Sequence, residues 1–176
     1  MKTKQTGAIV AILMGLVAWA FFAGSAAAGD IVNWDNKITN ANSRFKVLSD
    51  FNGEAVFDKE TGLVWEKSPA ITTHLWDSAR SECTGRTVGG RKGWRLPSVH
   101  ELASLVDPNS GLGLPLGHPF LNVQSDRYWS ATVDALQPTT HAWNVIFGPG
   151  PTNINMMTVL PHLVWCVRGG MNADQY

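Results

Sequence analysis

Six residues in the middle of the chain, Gly93-Trp94-Arg95-Leu96-Pro97-Ser98, restrict its fold more than any other stretch. Trp94 and Leu96 are apolar anchors on either side of a fixed charge. Ser98-Val99-His100-Glu101 then reads as a capping box, the serine oxygen accepting from the backbone of Glu101 while the glutamate reaches back to Ser98. Pro97 stands just outside the helix, placed to pack on Leu102 as a staple. Val99, Leu102, Ala103 and Val106 form the buried stripe, and Asp107-Pro108 ends the helix. Arg95 is readable as a ligand clamp or as a structural arginine held by carbonyls or by a carboxylate such as Glu101 or Asp77. Its core-like neighbours favour the structural role.

The beginning of the chain has a different character. Lys2 and Lys4 precede an apolar run from Gly7 to Ala23 and the small residues Ser25-Ala26-Ala27-Ala28, the pattern of a secretory signal peptide over residues 1–28. The competing reading is an uncleaved membrane anchor, which the small residues before Gly29 argue against. No cysteine stands there for a lipid anchor, and no later segment is apolar enough to span a bilayer. The expected localisation is secreted or periplasmic, in a bacterial envelope. The formal charge of the whole chain is zero, and loss of the two leader lysines leaves a slight acidic excess. Neither balance favours a nucleic-acid partner.

Residues 29–52 read as an N-terminal arm and first strand, with Gly29 to Ser43 polar and Asn-rich. Phe51-Asn52-Gly53-Glu54 and Asp58-Lys59-Glu60-Thr61-Gly62 are two successive turn signals among Phe45-Leu48, Ala55-Phe57 and Leu63-Glu66, so an antiparallel sheet is expected. A short helix follows, with Thr72 or Thr73 as N-cap and Trp76, Ala79 and Cys83 on its buried face. Gly85 to Gly93 reads as a mobile, solvated basic connection. Asn109 to Gln124 is an ordered surface loop tethered by Leu112, Leu114, Leu116, Phe120 and Leu121. Strands are expected at Tyr128-Thr132, His141-Phe147, more weakly Ile154-Val159, and Leu163-Arg168, ahead of a disordered tail that includes residues 171–176.

Of eight tryptophans, only Trp19 lies in the leader, and about five of the other seven are expected in the core. Cys83 and Cys166 are the chain's two cysteines. In an oxidising compartment they are expected to pair, a closure worth ~4–5 kcal/mol in the chain-entropy model. No Cys-x-x-Cys is present, and His100-Glu101 lacks the second histidine of a zinc protease, Ser104 standing in its place. No metal or cofactor is therefore expected. The histidines show no repeating ligand spacing, no nucleophile elbow or phosphate loop is found, and Asp126 and Asp134 read as turn residues rather than a catalytic pair, so the chain is not expected to be an enzyme.

The segments Asp58-Gly62 with Leu63-Val64-Trp65, the Trp76/Ala79/Cys83 helix, Gly93-Ser98 with Glu101-Leu102, Tyr128-Trp129-Ser130 and Trp165-Cys166-Val167-Arg168 together resemble the Lcl C-terminal domain family, named for the last domain of a bacterial collagen-like adhesin. The resemblance spans residues 53–170. It implies an α+β, C-type lectin-like fold, two short helices on a small twisted antiparallel sheet with long irregular loops. It also implies a Cys83 to Cys166 bridge between the first helix and the last strand. The calcium ligands of C-type lectins are incomplete here, since Gln137-Pro138 runs into Thr139 and Trp143-Asn144 into Val145. The copper chemistry of the related formylglycine-generating enzymes has no free cysteine pair to use.

The expected function is non-enzymatic adhesion or carbohydrate binding, with a glycan, a surface polymer or a cell-surface protein held by the loops after Asp107 and by Arg127, Trp129, His141, Trp143 and Asn144. The alternative is a structural or assembly subunit, open to homo-oligomerisation, that docks through its arm.

Overall fold

The computed structural model describes residues 38–107, 110, 113–148 and 153–169. The leader, arm residues 29–37, most of the Gly148 to Pro151 turn and the tail from Gly170 lie outside the described residues. In chain order the elements are α1 (Ala41–Arg44), β1 (Phe45–Leu48), β2 (Ala55–Asp58), β3 (Val64–Glu66), β4 (Ala70–His74), α2 (Trp76–Gly85), α3 (Val99–Ser104), β5 (Arg127–Val133), β6 (His141–Ile146), β7 (Asn153–Met156), β8 (His162–Val164) and β9 (Val167–Arg168). The class is α+β. Instead of one antiparallel sheet there are two, ordered β1-β2-β3-β9 and β4-β8-β5-β6-β7, and the β5–β8 pair is parallel.

Both hairpin signals act as expected. Asn52 and Gly53 take positive φ values of 53° and 74°, closing the chain after a 3₁₀ turn at Ser49–Phe51. In the second turn Asp58 accepts from Glu60 N and Thr61 Oγ1. Its buried carboxylate also receives Arg44 Nε at 2.9 Å and Nη2 at 2.7 Å, and the same guanidinium donates to Ser104 O at 2.9 Å. This corrects the reading of the arm. Asn40 caps the single-turn helix α1, Ile38 N donates to Glu60, and residues 38–44 are fastened to their own domain. A four-residue helix has too few periodic positions to stand out in sequence.

Three further expectations change. Thr72 and Thr73 lie in β4 and do not cap α2, which begins after Leu75 with no side-chain cap. The β-branched run Ile71-Thr72-Thr73 suits an extended backbone, and Ala70 and His74 pair with Val164 and His162 of β8. The Gly85–Gly93 connection is held in place rather than mobile. Val88 bridges Arg91, and Arg91 lies over the Phe51 ring while its Nε donates to Asp50 O. Gly89 N donates to Glu54 Oε2 at 2.6 Å. A Cβ on Gly89 would lie 2.3 Å from Phe51 O, so the approach requires glycine.

Finally, the expected last strand is split. β8 sits inside the five-stranded sheet and β9 at the edge of the four-stranded one, with Trp165 and Cys166 crossing between them. Every residue from His162 to Val167 is buried. Glu66 holds the crossover: its backbone exchanges with Cys166 O and Trp165 Nε1, and its carboxylate accepts from Cys166 N. Burial raises the Glu66 pKa, opposed by the Cys166 N–H and the Arg86 charge. The Cys83–Cys166 disulfide, with Cα atoms 5.4 Å apart, ties α2 to the same point.

Trp65, Trp76, Trp94, Trp129 and Trp165 are buried. Trp65 and Trp165 belong to a cluster with Leu102, Phe120, Tyr128, Val145 and Phe147, and the other three to a cluster with Ala79, Cys83 and Leu96.

Candidate functional site

The Gly93 to Ser98 stretch shows what a fully engaged polar region looks like in this molecule. Ser98 caps α3, and both halves of the capping box with Glu101 are formed. Arg95 donates to Glu101 at 2.7 and 2.5 Å and to Gly169 O at 2.7 Å, while its backbone pairs with Val167. Trp94, Leu96 and Pro97 are buried, and Trp94 Nε1 donates to Arg91 O. The Arg95 guanidinium and the enclosed Glu101 carboxylate are thus committed to each other and to the chain.

The five binding residues expected from sequence are not gathered into one surface. Opposed residues on antiparallel strands share a face, and neighbours along a strand alternate. Trp129 opposes Asn144 and Arg127 opposes Ile146, so these side chains lie on one face of the sheet. His141 and Trp143 lie on the other face, with Val145, which joins the cluster beneath α3. The strands also separate them lengthwise. Arg127 is at the open end of the hairpin, reached from the 113–125 loop, and His141 is at the 134–140 turn, roughly 20 Å away for a seven-residue strand. The 113–125 loop and the 134–140 turn therefore stand at opposite ends of the hairpin. Asp126 and Asp134 are likewise apart, and both accept local backbone hydrogen bonds as turn residues do.

Trp129 and Asn144 are fully enclosed. Trp129 donates to His74 O and meets the His162 ring at 4.4 Å. Asn144 Nδ2 and His162 Nε2 both approach Asn155 Oδ1, at 2.5 and 3.1 Å. With the Asn155 amide in this orientation, His162 carries its proton on Nε2. Burial, then the Arg127 charge, lowers the His162 pKa. Arg127 Nε and Asn144 Oδ1 are buried and lack a hydrogen-bond partner among the described residues. Half-buried His141 touches Thr140 Oγ1 through Nδ1.

At the same open end the loop forms a cleft of about 240 Å³ lined by Leu114, His118, Phe120, Asn122, Val123 and Ser125. Phe120 anchors its floor against Phe45 and Trp165 at 5.0 and 4.9 Å. Tyr128 OH holds the loop by accepting from Gln124 N, and burial pushes the Tyr128 pKa up to about 12. A Cβ on Gly113 would fall 2.9 Å from Gly148 N, so glycine is what allows the loop to close over the hairpin end. Leu114 and Phe120 are the buried tethers, whereas Leu116 and Leu121 are exposed and do not serve as tethers. Leu112 lies outside the described residues.

His118 stacks at a tilt on Phe120, and its buried Nδ1 has no partner among the described residues. Burial lowers its pKa. Neither His118, Asn122 nor Ser125 stands out in the sequence, because an unpaired buried atom becomes visible only in three dimensions. A broader depression of about 740 Å³ along α2 is lined by His74, Asp77, Ser81, Glu82 and Arg86 among others. There Arg86 faces Glu66 and Glu82, and Ser81 Oγ bonds Asp77 O. Among the described residues no group of three or more His, Cys, Asp or Glu side chains is placed to hold a metal, and no helix is long and apolar enough to cross a membrane.

Two sheets joined by a buried crossover, a helix tied to that crossover by a disulfide and a long ordered loop define a small α+β module with its cleft in the loop. The model of the Lcl C-terminal domain matches residues 54–168, and the chain belongs to that family. No curated protein matches it.

Proposed function

We propose that this chain is a non-enzymatic binding module, exported to the periplasm or cell exterior by its leader and folded as a variant of the C-type lectin-like fold. It takes a glycan, a surface polymer or a protein partner at the open end of the β5–β6 hairpin. The observation that carries this reading is the loop cleft, whose wall includes His118 with a buried Nδ1 that has no hydrogen-bond partner among the described residues. Leaving a buried polar atom unpaired costs about 1–3 kcal/mol, and a ligand that supplies the missing bonds recovers part of that. Loops on a rigid scaffold are the usual place for such contacts.

The five residues expected from sequence to bind do not line this cleft. Arg127, Trp129 and Asn144 lie on the sheet face opposite Tyr128 and Val145, which share a core cluster with Leu114 and Phe120 of the cleft, so these three stand outside it, and His141 and Trp143 serve a separate surface near the 134–140 turn. The assembly alternative is confined to arm residues 29–37, since residues 38–44 are engaged with their own domain. A glycan array and a pull-down against surface polymers test the proposal. A folded, disulfide-bonded sample that retains nothing in either assay would defeat it.

A further inference from the structure

The six side chains that line the loop cleft have a common property: none is a Lys, Arg, Asp or Glu. Its one ionisable group, His118, favours the neutral imidazole because burial disfavours the charged form. Leu114, Phe120 and Val123 supply an apolar floor, and His118, Asn122 and Ser125 supply a polar rim. The cleft, at about 240 Å³, is smaller than the ~300–1,000 Å³ of most small-molecule sites. It has room for one ring rather than an oligomer.

Resting on the binding-module reading above, we infer that the cleft takes a single uncharged pyranose, the neutral terminal residue of a glycan, and excludes sulfated or uronic residues. A pyranose has a C–H-rich face suited to Leu114 and Phe120, and a rim of hydroxyls that both donate and accept. Such hydroxyls match a rim on which His118, Asn122 and Ser125 offer both donors and acceptors. A sulfate or carboxylate would be desolvated beside a lining with no cation to pair it, which is unfavourable. Asn122 is held at φ 56°, with its Nδ2 on Ser68 Oγ, so its carboxamide is fixed in place before a ligand arrives. One small neutral ring gives weak binding, with Kd on the order of 1 mM.

The test uses the full chain, expressed with its own leader and with the disulfide intact. Methyl glucoside, galactoside and mannoside and N-acetylglucosamine are titrated in parallel with glucuronate and a sulfated monosaccharide at matched ionic strength, while NMR follows the His118 imidazole. At least one neutral sugar is expected to shift the His118 signals with a millimolar Kd, and the charged sugars are expected to leave them unmoved. Ser125→Ala, and Asn122→Gly, which keeps the left-handed backbone, should each weaken binding about three- to tenfold without changing the fold. His118→Ala, followed through the backbone amide signals of Asn122 and Ser125, should abolish it. A charged sugar shifting His118 more than any neutral one overturns the inference and leaves the binding-module reading intact. So does neutral-sugar binding that ignores all three substitutions. No shift with any sugar also overturns it, and the module reading falls with it only if arrays and pull-downs are also blank.

Discussion

At the β9 end of the molecule, Arg95 is committed to Glu101 and to Gly169 O, and Glu101 in turn completes the cap of α3. In the loop that reaches the open end of the β5–β6 hairpin, His118 Nδ1 is buried with no hydrogen-bond partner among the described residues, and Arg127 Nε and Asn144 Oδ1, on the opposite face of that hairpin, also have none. The contrast shows that the most conspicuous motif of this sequence does its work within the fold. The less conspicuous loop keeps hydrogen-bonding capacity in reserve. Other buried nitrogens without hydrogen bonds have different surroundings: Arg44 Nη1 and Arg86 Nε each have a carboxylate nearby, at 3.4 and 3.1 Å, and Trp65 Nε1 lies deep among other rings.

The contrast can be broken first at the disulfide. Replacing Cys83 and Cys166 with serine should lower unfolding free energy by ~4–5 kcal/mol for a loop of this length, measured by denaturant titration. A loss under about 1 kcal/mol would show that the sheets alone hold the crossover. Next, Trp94→Ala should cost about 3–5 kcal/mol through the cavity it leaves. Arg95→Ala should cost about 2–4 kcal/mol by leaving Glu101 buried without its cation. Binding per folded molecule should survive both. Unchanged melting with lost binding would move Arg95 from the scaffold to the site and erase the contrast.

The smallest effect is pH-dependent. His118 and His162 both have pKa values lowered from 6.5, chiefly by burial, so the unfolded chain takes up these protons first. Their contribution to stability is complete above about pH 6.5 and is lost as the pH falls through the lower folded values. Glu66, with its pKa raised from 4.5 by burial, has the opposite sign: its contribution is complete below 4.5 and is lost as pH rises through the folded value. The melting temperature should hold from pH 8 to 7 and decline toward pH 5, and a His118→Ala, His162→Gln double variant should flatten the decline. A rise in its place would mean that an imidazolium gains a partner on folding.

The parts that were legible in sequence are local. The Ser98–Glu101 capping box spans four residues, and the Asn52-Gly53 turn needs only the backbone preference of its own residues. The Cys83 to Cys166 bridge was legible because only one internal pairing existed. What failed depends on distant partners. Thr72 and Thr73 look like helix caps until β8, some ninety residues later, pairs with β4. The split between β8 and β9 is hidden because an unbroken buried run gives no signal that the chain is changing sheets. The site was the least legible part. Arg127, Trp129 and Asn144 are residue types suited to binding, but the alternation that sets them on the opposite face from His141 and Trp143 follows from the register. His118 is distinguished only by the partner it lacks.

The crossover at Trp165 and Cys166 also sets a timetable. β8 is the strand through which β4 joins β5, and β9 completes the other sheet, so neither sheet can be finished until residues 162–168 are present. A chain emerging from its N-terminal end carries seven of the nine strands among the described residues before it can assemble either layer in full. For the export proposed above, such a delay would suit a polypeptide that passes a barrier unfolded and becomes rigid only on the far side, where its two cysteines can be oxidised.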